Sequence, residues 1–143
     1  MSYITSYNAL HKAIFGFWQG YTLNGKELPV YYTGRVPADE KTDEKARLPY
    51  ITFEVVDLPA FGKTVLTATA WIKGDNSSVL AAAAAFFDQV KARLPLCGVK
   101  CACEGGGFLL LYPNETNFLS TMTDPEDREI IGARVSYEAY YYR

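Results

Sequence analysis

The chain has 143 residues, of which 49% are hydrophobic and 21% are charged, and its formal net charge is −2. This length suits one domain with a sizeable core, and the composition excludes an intrinsically disordered chain. The mildly acidic charge offers no basic face of the kind that nucleic-acid binding needs, so we expect no nucleic-acid readout. We therefore predict a single domain over residues 1–143.

The N-terminal segment carries no basic stretch followed by an apolar run, so its sequence does not predict a secretion signal. No apolar segment approaches the length of about 20 residues that a helix needs to cross a bilayer. From these two features we expect synthesis in the cytosol and no membrane partner.

The first third of the chain predicts one helix, two strands and a polar loop. Apolar residues at alternating steps of four and three residues predict an amphipathic helix over 3–21. A short strand follows over 28–32, and Pro29 favours an edge position for it. Residues 35–48 are rich in charges and predict a solvated loop, and residues 50–56 predict a second strand.

The middle of the chain predicts a strand followed by a helix. Residues 64–72 alternate threonine with apolar residues, which is typical of a strand. Residues 74–77 can turn the chain and cap a helix, which Pro95 then stops. The apolar stripe of this predicted helix consists of Val79, Ala83, Phe86, Val90 and Leu94.

The last third predicts further strands. Residues 96–103 and 108–112 are expected to be strands joined by the glycines of 105–107, and residues 113–127 a loop that carries Phe118, Leu119 and Met122. A long aromatic strand over 129–142 ends the chain. Short turns between strands favour antiparallel pairing. The predicted fold class is therefore α+β, a mostly antiparallel sheet with two helices packed on one face.

Residues 61–64 (Phe-Gly-Lys-Thr) look like the end of a phosphate-binding loop, but the rest of that motif is missing. The motif needs a glycine five residues before Gly62, and Asp57 stands there. It also needs a helix after Thr64, where a strand is predicted. A hairpin turn is the better interpretation.

The sequence offers no complete metal or catalytic site. Cys97, Cys101 and Cys103 fall short of the four ligands of a zinc site, and His11 is far away in the chain. We interpret the cysteines as buried and structural, and His11 as exposed. The acids of 124–129 lack the central glycine of a calcium loop and predict a solvated turn. We expect no catalytic residue, no metal and no cofactor, and hence no enzyme.

A set of local features in a fixed order follows the predicted helix. They are Pro29-Val30-Tyr31-Tyr32, a polar loop from Val36-Pro37, Leu48-Pro49-Tyr50-Ile51, Trp71-Ile72, Leu94-Pro95, and Thr123-Asp124-Pro125-Glu126-Asp127 before the last strand. In this layout, which covers the whole chain, the sequence resembles the tail terminator and tail-completion proteins of tailed bacteriophages and prophages. The cysteine-bearing segment 97–103 departs from that layout.

The resemblance implies a structural protein of the virion tail or neck that is assembled in the cytoplasm of the bacterial host. Such proteins are small α+β domains that form a ring, usually hexameric, on the end of the tail tube. The ring stops tube polymerisation and joins the tail to the head. The implied partners are copies of the chain itself, the tail tube protein and a head–tail connector protein.

By analogy with that family, the two polar loops are candidate assembly interfaces. The candidate residues are Arg35, Asp39, Glu40, Lys41, Asp43, Lys45 and Arg47 in the first loop, and Phe118, Asp124, Glu126, Asp127 and Arg128 in the second.

Three alternatives stay open from the sequence. Another neck or minor tail protein could use the same fold, because a fold does not fix a function. A cytosolic module could bind a small ligand between the sheet and the helices. An enzyme with an unrecognised site would need a strongly perturbed carboxylate or cysteine in a cleft.

Overall fold

A computed structural model describes residues 7–33, 48–56, 63–125 and 127–142. Within them the chain forms the helices α1 (Tyr7–Trp18) and α2 (Asn76–Arg93). The strands are β1 (Thr22–Leu23), β2 (Lys26–Glu27), β3 (Val30–Tyr32), β4 (Tyr50–Phe53), β5 (Lys63–Lys73), β6 (Val99–Ala102), β7 (Phe108–Pro113), β8 (Leu119–Thr123) and β9 (Ile130–Tyr142).

Seven of these strands form one sheet, and β1 and β2 form a separate small hairpin. The order in the sheet is β3-β4-β5-β9-β7-β6, and β8 also pairs with β9. Its strand pairs are antiparallel except β3 and β4, which run parallel. The sheet is thus mostly antiparallel, as predicted. The edge position expected for the strand at Pro29 is confirmed within the described residues, where β3 pairs only with β4.

The long strand β9 is the centre of the sheet. One of its edges pairs with β5, from Tyr140 opposite Lys63 to Ile130 opposite Lys73. Its other edge is shared by β7 and β8, which flank Ser136. The Ser136 carbonyl accepts from the Asn114 N–H at 3.1 Å, and the Ser136 N–H donates to the Phe118 carbonyl at 2.8 Å. The chain therefore bulges outward between β7 and β8, opposite Ser136.

The core lies on one face of the sheet, and both helices contribute to it. Strand residues of that face and helix residues belong to one buried cluster, which includes Ile14 and Trp18 of α1, Phe86 and Val90 of α2, and Tyr137 of β9. Because both helices bury their apolar sides in this one cluster, they cover the same face. The predicted α+β class with two helices on one face is confirmed.

The second helix follows its sequence signals closely. The Asp75 carboxylate accepts from the Ser78 N–H at 2.9 Å and caps the first turn. All five residues of the predicted stripe are buried. The N–H of Leu94 donates to the Val90 carbonyl at 2.7 Å, and the helix ends before Pro95.

Several predicted elements are shorter in the structure, among them the strands predicted over 28–32 and 50–56, which cover Val30–Tyr32 and Tyr50–Phe53. The first helix ends at Trp18 rather than at residue 21, because Gly20 adopts a left-handed φ of 90°. Residues 3–6, which were also predicted to be helical, lie outside the described residues. The strand predicted over 96–103 covers only Val99–Ala102, since a turn follows Pro95.

The interpretation of 113–127 as an unbroken loop is wrong, because it contains β8. The segment Leu-Ser-Thr-Met-Thr has no alternation of apolar and polar residues, and all of its side chains except Leu119 are exposed. The segment is a strand because it pairs with β9, and nothing in its own sequence signals that partner. Of the polar loop predicted over 35–48, only Leu48 belongs to the described residues.

Candidate functional site

The face of the sheet opposite the core is covered by neither α1 nor α2. We call this uncovered side of the sheet the outer face. Side chains alternate between the two faces of a strand, so the residues between the core positions point to the outer face. Its residues on five of the strands include Tyr31, Tyr50, Thr52, Val65, Thr67, Thr69, Trp71, Phe108, Leu110, Tyr112, Arg134, Ser136, Glu138, Tyr140 and Tyr142.

One aromatic group of the outer face lies where β3, β4 and β5 meet. The rings of Tyr31 and Tyr50 pack edge to face at 5.7 Å. Trp71 Nε1 donates to Thr52 Oγ1 at 3.1 Å, which fixes the indole across the strands. A Cβ on Gly132 would come within 3.1 Å of the indole, so the absence of a side chain at Gly132 lets the indole lie close to β9.

Next to this group is a groove of about 310 Å³. Its lining residues are Thr33, Leu48, Tyr50, Thr52, Trp71, Asp124 and Ile130. Partial burial raises the pKa of Tyr50, and the charge of Asp124 and the neighbouring Tyr31 add to that rise. One predicted interface residue, Asp124, therefore lines a groove on the outer face.

A second aromatic group lies where β7 and β9 pair near the end of the chain. Tyr112 and Tyr140 pack edge to face at 5.6 Å, and Phe108 and Tyr142 stack at 5.7 Å. The ammonium group of Lys100 lies 4.2 Å from the centre of the Phe108 ring. This end of the outer face thus already holds a cation against an aromatic ring.

A cavity of about 440 Å³ opens beside this second group, and we call it the tyrosine–glutamate cavity. Its lining residues are Leu96, Tyr112, Pro113, Glu115, Glu138, Tyr140 and Tyr142. The Tyr140 hydroxyl donates to Glu138 Oε1 at 3.1 Å, and Lys63 Nζ lies 3.9 Å from Glu138 Oε2. The cavity therefore combines aromatic walls with two carboxylates.

The two aromatic groups are separated along β9. Trp71 pairs with Gly132 near the start of β9, and the second group surrounds Tyr140 near its end. Eight residues of extended strand span about 26 Å. The outer face consequently carries two different surfaces at its two ends.

The predicted interface residues of the second loop do not form one cluster. Phe118 is half-buried and packs against the core, and Arg128 is exposed. The carboxylate of Asp127 lies 3.3 Å from Lys73 Nζ and accepts from the Glu129 N–H at 2.9 Å. These contacts, the backbone bond foremost, lower the pKa of Asp127.

The other predicted interface residues lie outside the described part of the chain. They are Arg35, Asp39, Glu40, Lys41, Asp43, Lys45, Arg47 and Glu126. For these residues the assignment stays a prediction.

The tyrosine–glutamate cavity was not predicted from the sequence. A signal for it exists in the last strand, where Glu138, Tyr140 and Tyr142 alternate with Tyr137 and Tyr141. Because tyrosine occurs in both alternating rows, the sequence could not show which row faces the core. The structure buries Tyr137 and Tyr141 and leaves the other row on the outer face.

The cysteines and the histidine differ in part from their predicted environments. Cys103 is buried and Cys101 is half-buried, but Cys97 is exposed, so the prediction of three buried cysteines is wrong for Cys97. The expected exposure of His11 is also wrong, because its ring lies 5.3 Å from that of Phe53 and is half-buried.

The pKa of the Cys101 thiol in β6 is raised, mainly by burial and further by the nearby Cys103. A raised pKa favours the thiol over the thiolate, which is the nucleophile and metal ligand. Among the residues that the structure describes, no group of three or more His, Cys, Asp or Glu side chains is arranged to hold a metal ion.

Neither of the described helices has the length and apolar character needed to cross a bilayer. Comparisons of the chain with protein-family models, with curated proteins and with solved structures found no match.

Proposed function

We propose that this protein is a non-catalytic structural subunit that assembles with copies of itself into a closed ring on the end of a phage tail tube. The observation that supports this proposal most directly is the aromatic outer face of the sheet, which neither described helix covers. The ring would end tube growth and present a surface to the head–tail connector. The family resemblance implies a ring of six subunits.

The composition of the outer face favours association. An antiparallel sheet with one solvated face usually carries polar residues there. Here tyrosines, a tryptophan and a phenylalanine occupy outward positions on five of its strands, and Val65 is 47% exposed. Tyrosine and tryptophan are enriched at the centres of protein interfaces, because they bury a large apolar ring and keep a polar tip.

The arrangement of the two aromatic groups favours a ring over a symmetric pair. A subunit that contacts its neighbour through two different surfaces makes a head-to-tail interface, and such interfaces generate rings when the rotation closes. The groove near Trp71 and the tyrosine–glutamate cavity are two such surfaces, and they lie at opposite ends of β9. Asp124, one of the predicted interface residues, lines the first of them.

The test is the mass of the purified protein, which is 15.9 kDa for one chain. Light scattering after size exclusion, over a concentration series, should show the measured mass rising to one fixed multiple of this value, because a closed ring has a fixed number of subunits. Negative-stain electron microscopy of the heaviest fraction should then show rings with a central opening. A strict monomer that also fails to bind isolated tail tubes would contradict the proposal.

A further inference from the structure

We propose that the tyrosine–glutamate cavity binds an arginine side chain presented by a partner polypeptide. The cavity is concave, has aromatic walls, and carries two carboxylates. A guanidinium group is planar, so it can stack on a tyrosine ring while its N–H groups donate to a carboxylate. The inference is tested on the monomeric chain, because the same cavity is one of the two surfaces through which the proposed ring would form.

The aromatic walls are fixed before any ligand binds. Gly98 adopts a φ of 85°, and a Cβ at that position would lie only 2.8 Å from Cδ1 of Tyr112. The Tyr112 ring thus lies directly on the backbone of Gly98 and meets Tyr140 edge to face. Tyr142 is supported in turn by its stacking on Phe108. Side chains held in this way lose little entropy when a ligand enters.

The charge of the cavity is incompletely compensated. The side chain of Glu138 is only 15% exposed, and Glu115 is exposed at the rim. The Tyr140 hydroxyl donates to one oxygen of Glu138, but Lys63 reaches the other only at 3.9 Å, near the limit of an ion pair. Lys63 stands on β5 and does not line the cavity. A partly desolvated carboxylate of this kind favours a cation that can donate to it directly.

Size and exposure favour a polypeptide over a free ion. A volume of about 440 Å³ falls within the range of sites that hold sizeable ligands, so there is room for residues beside the arginine. Leu96 at the rim is 88% exposed, which offers an apolar contact to the partner chain. The protein also uses an arginine in this way in its own fold, since the Arg93 guanidinium lies 4.0 Å from the centre of the Tyr21 ring.

The test compares three blocked tripeptides, Gly-Arg-Gly, Gly-citrulline-Gly and Gly-Lys-Gly, in amide NMR titrations of the whole chain. Citrulline has the shape of arginine without its charge. The arginine peptide should give saturable shifts at Tyr112, Glu138, Tyr140 and Tyr142. The citrulline peptide should bind about tenfold more weakly, the effect of losing one charge-assisted contact. The lysine peptide should fall between them, because its ammonium group cannot stack as a plane.

Substitutions of the two partners of the Glu138–Lys63 ion pair should have opposite effects on binding of the arginine peptide. Glu138→Gln removes the negative charge and should weaken binding of the arginine peptide about tenfold. Lys63→Gln removes the competing cation and should strengthen it, an effect that a purely structural role would not produce. Asp88→Asn is the matched control for Glu138→Gln. It also removes one negative charge, but on the exposed side of α2, away from the cavity, and it should leave binding unchanged.

Three results would overturn the proposal. Equal binding of the arginine and citrulline peptides would mean that charge is not recognised, and tighter binding of the lysine peptide would mean that the planar group is not recognised. Absence of saturable shifts at the cavity, with the amide spectrum of the folded chain intact, would mean that the cavity is not an arginine site. The titrations are made at concentrations where the chain is monomeric, so that no neighbouring subunit covers the cavity, and they leave the proposed function to its own test.

Discussion

At the scale of single residues, the core is organised around aromatic side chains that carry polar atoms inside it. Trp18 Nε1 donates to the Tyr137 hydroxyl at 3.2 Å, and burial raises the pKa of Tyr137. Burial also raises the pKa of Tyr21 to about 12, against the opposing charge of Arg93. Both tyrosines therefore stay neutral in the folded protein over the physiological pH range.

Phe86 is the residue of α2 whose truncation should cost most. It is fully buried, and its ring lies 5.4 Å from that of Tyr21. Phe86→Ala would leave a cavity in this aromatic cluster and should lower the free energy of unfolding by about 3–5 kcal/mol. Urea denaturation followed by far-UV circular dichroism measures the change.

The neighbouring Phe87 is a matched control for that experiment. Phe87 is only half-buried, so Phe87→Ala removes the same atoms from a site that water already reaches. It should cost clearly less than Phe86→Ala. Equal losses for the two variants would contradict the orientation of α2 against the sheet.

Gly98 permits a close approach that no other residue would allow. Its φ is 85°, and a Cβ there would lie 2.8 and 2.9 Å from Cδ1 and Cζ of Tyr112. Gly98→Ala should therefore lose about 1–2 kcal/mol through the left-handed backbone and about 1–3 kcal/mol more by displacing the ring. Thermal denaturation measures the loss.

Gly105 separates these two contributions. Its φ is 88°, but nothing lies within 4 Å of the position where its Cβ would be. Gly105→Ala should therefore show the backbone cost alone. If the two alanine variants are equally stable, the Tyr112 ring is not held against Gly98, and the walls of the tyrosine–glutamate cavity are not fixed in advance.

At the scale of elements, the sequence predicts those with a local signal and misses those that depend on a distant partner. The helix α2 has a cap at Asp75, a complete apolar stripe and a stop at Pro95, so its prediction needs no knowledge of the rest of the chain. The strand β8 has no comparable pattern and is defined by pairing with β9. The cavity escaped prediction for a related reason, since β9 carries tyrosines on both faces and the buried face is chosen by the helices.

The strand β8 should show alternating protection in amide hydrogen exchange. The Asp124 N–H donates to the Ile130 carbonyl, and Phe118 accepts from Ser136, so even-numbered residues of this stretch face β9. The amides of Ser120 and Met122 should therefore exchange slowly. The amides at odd positions such as Thr121 should exchange fast, because no strand pairs with the other edge of β8 in the described part of the chain.

NMR exchange measurements at low protein concentration test this pattern. Fast exchange at all five positions would mean that β8 does not form in the free protein. Slow exchange at the odd positions only at high concentration would show that self-association covers this edge, which is how sheet proteins commonly protect an open strand.

At the scale of the whole molecule, the described part of the chain presents two large surfaces of different character. The outer face carries aromatic residues, and the exposed side of α2 carries small residues such as Ala81 and Ala84 together with Leu80. Each surface exposes at least one large aliphatic side chain. Val65 on the outer face is 47% exposed, and Leu80 on α2 is 56% exposed.

Lysine substitutions at these two positions decide which surface assembles. Val65→Lys places a charge on the outer face, opposite Glu138, where burial in an interface would impose a desolvation cost. It should abolish or strongly weaken self-association while the melting temperature of the monomer changes little. Leu80→Lys adds the same charge to the helical side and should leave self-association intact. If instead Leu80→Lys dissociates the assembly and Val65→Lys does not, the ring is built through α2, and the aromatic outer face remains available to the tail tube or the connector.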